Sequence, residues 1–111
     1  MSMAAATHRV EIGADHPAFD GHFPGQPVLP GVALLAEVLE AALGDPALAA
    51  CVGASPRLPV VKFLAPVRPG ASLLIAFRVG ARALDWDVRE GEQIVASGQI
   101  ARADVAVTAP P

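Results

Sequence analysis

The sequence predicts an α+β domain in which an antiparallel sheet wraps one helix. Three observations predict it. One long apolar segment, residues 31–43, has the spacing of a helix. A stretch with too many prolines and glycines for any regular element runs directly into it. Four short strand-like segments separated by turn residues fill the second half of the chain. Consecutive strands on short turns pair antiparallel, and a helix without a polar face has to be covered, so the sheet must close around the helix.

Each element has its own signal. Thr7 to Ile12 reads as a strand, with Val10 and Ile12 alternating against Arg9 and Glu11. Asp15 to Pro30 is a loop broken by Pro17, Gly21, Pro24, Gly25, Pro27 and Pro30; an irregular stretch of this length in a small domain usually has a functional reason. Gly31 to Leu43 is the helix: Pro30 suits its first turn and Gly44 its stop. Val32, Leu34, Leu35, Val38, Leu39, Ala42 and Leu43 leave it almost no polar face, which predicts burial on most sides. Glu37 and Glu40, three apart, share the one polar side. Four strands follow: Leu58 to Leu64, Ser72 to Val79, Ala83 to Glu90 and Gln93 to Arg102. In the third of these Leu84, Trp86 and Val88 alternate with Asp85, Asp87 and Arg89, and in the fourth the inward set is Ile94, Ala96, Gly98 and Ile100. Pro69-Gly70 and Glu90-Gly91-Glu92 supply turns, the second a hairpin signal.

The 111 residues make one domain, with a core at about 7–104 and a tail at 105–111. At 53% apolar the chain fills a core, and a domain this small still exposes apolar surface when alone, which favours an oligomer. A formal charge of −3 offers no basic stripe for nucleic acid. Cys51 is the one cysteine, so no internal disulfide can form; it lies in an alanine-rich stretch and reads as an inert small residue. Met1 to Thr7 lacks the pattern of a secretory leader, and the longest apolar candidate, Val28 to Leu43, holds Pro30, Glu37 and Glu40 and falls short of the ~20 residues of a membrane span. A soluble cytoplasmic protein is expected, with no membrane or nucleic-acid partner.

The chemistry is concentrated in residues 16–31. This stiff loop places His22 shortly before a helix N-terminus, where prolines fix the backbone and glycines admit a ligand. The first helical amides, near Gly31, have no partners within the helix and suit an anion or a developing oxyanion.

The stretch Gly21-His22-Phe23-Pro24-Gly25-Gln26-Pro27-Val28-Leu29-Pro30-Gly31-Val32 resembles the loop of the β-hydroxyacyl-acyl-carrier-protein dehydratases. A weaker similarity continues through Val60-Val61-Lys62-Phe63-Leu64-Ala65-Pro66-Val67-Arg68-Pro69-Gly70. The resemblance implies a hotdog fold, a curved antiparallel sheet around the central helix, and a dimer with sites at the interface. It implies an acyl-carrier-protein or coenzyme A thioester as substrate and no cofactor or metal. It makes His22 the base that takes a proton from the carbon alpha to the thioester, the Gly31 amide the donor to the thioester carbonyl, and the Val28 carbonyl the group that orients the histidine. Phe23, Pro24, Gly25, Val28, Pro30 and Ala36 are then expected to line the substrate. The product is a trans-2-enoyl thioester and water.

One position departs from that pattern. The family places a carboxylate fourteen residues after the histidine, donated from the partner's helix, and here that residue is Ala36. Glu37 is rotated from it by about 100°, and Glu40 lies on the same face but about 6 Å further along the axis. Water, Glu37 or Glu40 is the candidate stand-in; the alternative role of Glu37 is to anchor the helix by bonding to loop amides or an arginine, since a bare buried charge is costly. His16 reads as a packing residue of the loop, His8 as solvated, and Trp86 as packing. Besides the dehydratase, two readings stay open: a non-catalytic acyl-binding homologue that partners an active dehydratase, and a thioesterase on the same fold.

Overall fold

The computed structural model describes residues 6–19 and 28–105. The elements run β1 (Ala6–Glu11), a single 3-10 turn (Pro17–Phe19), α1 (Gly31–Leu43), α2 (Pro46–Val52), β2 (Val60–Phe63), β3 (Ser72–Val79), β4 (Ala83–Glu90) and β5 (Gln93–Ala101). The strands form one sheet in the order β1-β3-β4-β5-β2, and every pairing is antiparallel. The α+β layout is therefore the one expected, with the bounds of α1, β3 and β4 as read from the sequence.

Alternation decides which sheet face takes the core. Cross-strand partners share a face, and the pairs Ile75–Val88, Phe77–Trp86, Trp86–Gly98 and Leu84–Ile100 line the covered one. Against it α1 buries Leu34, Val38 and Ala42, one residue per turn, in a single cluster with Leu73, Ile75, Phe77, Trp86 and Val88. Each large apolar side chain so enclosed contributes about 1.5–3 kcal/mol.

The expectation that α1 is buried on most sides needs correction. Only that one stripe is buried within the chain, while Val32, Ala36, Glu40 and Leu43 form an exposed stripe and Val32 is 81% accessible. The sequence reading also missed α2. Asp45 caps it, its carboxylate accepting from the amides of Ala47 (3.0 Å) and Leu48 (3.3 Å), and Pro46 sits in its first turn. Leu48, Cys51 and Val52 are its buried side, which agrees with an inert Cys51.

Two side chains depart from the predicted alternation in the sheet. Ile94 is partly exposed and Val95 is fully buried, because the ladder slips between Val88 and Arg89: Val88 faces Ala96 but Arg89 faces Ile94, leaving Val95 as an extra residue. The Val95 carbonyl accepts from the amides of both Leu64 and Ala65, which ties the end of β2 to the bulge. Asp87, on the uncovered face, is nonetheless buried, because the guanidinium groups of Arg78 (2.8 Å) and Arg89 (3.4 Å) close over its carboxylate. Arg102 clasps the β3–β4 turn by donating to the Gly80 carbonyl at 2.8 Å. Its hydrogen bonds to Asp104 hold that carboxyl below the usual carboxylate range. Among the described residues no helix is long and apolar enough to cross a membrane.

Candidate active site at the start of the central helix

Of the predicted site residues, His22, Phe23, Pro24 and Gly25 lie outside the described residues. Val28, Pro30, Gly31, Ala36 and Glu37 lie within them, and the structure gathers some of these and separates others.

The chain re-enters at Val28 and is fixed at once: the Leu29 amide donates to the Val67 carbonyl at 2.7 Å, and both residues are buried. Pro30 is the N-cap of α1, with φ −59° and ψ 146°, and offers no capping side chain. Its carbonyl takes the amides of Ala33 (3.0 Å) and Leu34 (3.1 Å). The amides of Gly31 and Val32 have no acceptor among the described residues. Amides so placed at a helix start can bind an anion or oxyanion set before it.

Beside this helix start is a groove of about 390 Å³ lined by Val28, Leu29, Gly31, Leu34, Phe63 and Leu64, with Ala65 to Val67 completing it. Its walls are almost entirely apolar side chains. A Cβ at Gly31 would stand 2.8 Å from the half-exposed ring of Phe63, so a larger residue there would push that ring away from the helix start. Phe63 and Leu64 are about half exposed, at 53% and 58%, and form the outer rim. Val28, Gly31 and the segment from Phe63 to Val67 thus converge in space.

Ala36 and Glu37 do not join them. Ala36 lies in the exposed stripe of α1 and lines no part of the groove. Glu37 is half-buried and turned toward β1, where it borders a separate groove of about 300 Å³ with His8, Val10, Glu40 and Ala41. Its Oε1 lies 3.2 Å from Nε2 of His16. The Ala18 amide donates to Nδ1 of the same ring at 3.1 Å, so Nδ1 carries no proton and Nε2–H is the donor to Glu37. Glu37 is thus an anchor, as its alternative reading supposed, but to a histidine rather than to an amide or an arginine. His16 was read as mere packing; Glu37, one of two carboxylates in an otherwise apolar helix, was the signal that something in the loop had to meet it. His8 is corrected too: its ring meets Phe77 edge-on at 5.8 Å, and its buried Nε2 finds no partner among the described residues. Trp86 is fully buried packing, as read.

Comparison with known proteins was then decisive for the family. Residues 2–99 match the family model described as ApeI-like, ApeI dehydratase. The chain belongs to the ApeI-like dehydratase family. An ApeI-like chain of this kind is also similar to 3-hydroxyacyl-[acyl-carrier-protein] dehydratases named FabZ. That of Syntrophobacter fumaroxidans is 32% identical over 104 residues, covering 87% of this chain and 69% of the relative. That of Thermomicrobium roseum is 34% identical over 73 residues, 62% of this chain. The aligned region spans 49% of the Thermomicrobium protein, about half its length. Among solved structures, a chain of the dehydratase heterocomplex ApeI:P from Xenorhabdus doucetiae superposes with a TM-score of 0.70 at 24% identity, covering 91% of this chain and 96% of that one. The fold of this ApeI-like chain is a hotdog: one antiparallel sheet with a long helix laid on its covered face.

Proposed function

We propose that this chain handles 3-hydroxyacyl thioesters, on acyl-carrier protein or coenzyme A, and eliminates water from them to give trans-2-enoyl thioesters. The observation that carries the reading is the open start of α1: two amides without acceptors among the described residues, beside an apolar groove, in a chain of a dehydratase family. In that reading the Gly31 amide donates to the thioester carbonyl, and the acyl chain lies along Val28, Leu34 and Phe63. His22 removes the alpha proton. Phe23, Pro24, Gly25 and Pro30 shape its approach. The negative charge that grows on the carbonyl oxygen is stabilised by donors already in place. Two copies form a dimer, and the exposed stripe of Val32 and Ala36 on α1 is the side that meets the partner.

Ala36 limits this chemistry. Hydroxide leaves poorly from the 3-carbon without a proton donor, and removal of a general acid typically costs ~10²–10⁴-fold in rate. The native protein is therefore a weak dehydratase on ordinary 3-hydroxyacyl thioesters. Ala36→Glu or Ala36→Asp raises the rate of enoyl-thioester formation, followed by absorbance, and does nothing in a His22→Ala background. Robust native turnover that Ala36→Glu leaves unchanged sinks the missing-acid account. Thiol release without an enoyl product assigns the chain to thioester hydrolysis instead.

A second reading is favoured by the same alanine. The Xenorhabdus doucetiae structure is that of the dehydratase heterocomplex ApeI:P. By analogy this chain can serve as an acyl-binding partner of a second subunit whose helix carries the carboxylate. Retained binding of an acyl-thioester analogue with no turnover in any variant supports that reading over the first.

A further inference from the structure

We propose that Glu37 is a positioning residue, held by His16, and does not replace the proton donor absent at Ala36. The inference rests on the reading that the segment carrying His22 belongs to an acyl-thioester site. Its geometry stands on described residues alone.

Four contacts organise the chain before that segment. The His16 amide donates to the Gly13 carbonyl at 3.1 Å, and the Phe19 amide to the His16 carbonyl at 3.0 Å. The Ala18 amide donates to Nδ1 of His16, and the ring meets the buried Phe19 edge-on at 6.1 Å between centroids. Residues 13–19 are thereby folded into a compact turn on one imidazole. The remaining ring nitrogen, Nε2–H, reaches α1 at Glu37 Oε1, 3.2 Å away. On the other side of residues 20–27, the Leu29 amide is bonded to Val67. The chain thus enters and leaves that segment from points fixed on the framework, and the entry point is fixed to the same helix whose first amides line the apolar groove.

The same contacts disfavour an acid role. Glu37 faces the groove beside β1, away from the exposed stripe of Val32 and Ala36 that a partner's site would meet. Its Oε1 is engaged by His16 of its own chain, and a carboxyl held there is not placed to give a proton across a dimer. Ala36, one residue earlier, points to the exposed side. The chain has a polar pair where the loop needs a fastening, and no carboxylate where the elimination needs one.

The test uses three variants. Glu37→Gln keeps an acceptor oxygen for His16 Nε2–H but has no acidic proton. Glu37→Leu removes the acceptor. His16→Asn keeps a local acceptor for the amide two residues on but is too short to reach Glu37. For kcat and KM of enoyl-thioester formation, Glu37→Gln is expected to stay close to native. Glu37→Leu and His16→Asn are expected to lower kcat by roughly ten- to a hundredfold with KM little changed, the signature of misplaced rather than missing groups. Amide hydrogen exchange at Ala18 and Phe19 should quicken in Glu37→Leu and remain native in Glu37→Gln. A loss of kcat in Glu37→Gln equal to that in Glu37→Leu, with exchange unchanged, overturns the proposal and makes Glu37 the acid. If the native protein turns over no acyl thioester, the functional reading fails by itself. The exchange result then decides the pair: protection unchanged in Glu37→Leu removes the latch.

Discussion

At the level of single residues, what the sequence could say depended on whether a side chain's task is local. The helix start was legible because it has its own chemistry: α1 begins at Gly31 as read, with Pro30 as its N-cap rather than inside its first turn. The His16–Glu37 bond was half legible: a charge in an apolar helix demands a partner, but nothing in the spacing of twenty-one residues says which. His8 was misread because a strand residue next to Arg9 and Glu11 looks solvated, whereas its register opposite Ile75 turns it to the covered face. Gly98 shows the same gap. It sits opposite Trp86, and an added Cβ would fall on the Val60 carbonyl oxygen and 2.7 Å from the Trp86 ring. Backbone on one side and a buried indole on the other leave little room to yield. Gly98→Ala is therefore expected to lower stability by about 1–3 kcal/mol, measured by urea denaturation. A variant as stable as native would mean that β2 can draw away from β5 at no cost.

At the level of elements, α1, β3 and β4 were read to their bounds, β1 and β5 to within a residue and β2 as a longer strand, while α2 was missed. The helix α1 and the strands β3 and β4 have both a clear period and breakers at each end. The seven residues of α2 are too few for a period to show; its evidence was Asp45-Pro46, a cap followed by a first-turn proline. That cap makes a prediction. Asp45→Ala removes the acceptor for two helical amides and should destabilise the protein by about 1 kcal/mol. Hydrogen exchange at Ala47 and Leu48 should quicken while the centre of β4 stays protected. Equal loss of protection throughout would show instead that α2 unfolds only with the whole domain. In β5 the alternation was followed through a bulge that no composition signals, so Ile94 and Val95 exchanged sides.

For the whole molecule, the sequence indicated that so apolar a small chain would not cover itself. One protomer indeed leaves Val32, Phe63 and Leu64 exposed around the start of α1, with β2 at an open edge of the sheet. If a second copy covers that region, sedimentation at micromolar concentration gives a dimer, and Val32→Glu or Phe63→Glu shifts it toward monomer. A native monomer would leave the exposed stripe of α1 to some other partner. The slip in β5 bears on how such chains can differ in length. Residues beyond the bulge keep the covered face because Val95 is left out of the pairing. Deleting it would restore a strict two-residue repeat, with Ala96 opposite Val88 and Ile94 opposite Arg89, but would take the buried Val95 side chain out of the core and disturb the carbonyl that accepts from Leu64 and Ala65. Length changes among related chains are then admissible between α2 and β2 or at the Gly91-Glu92 turn, and not within β5. There, the number of residues is as much a part of the specification as their kind.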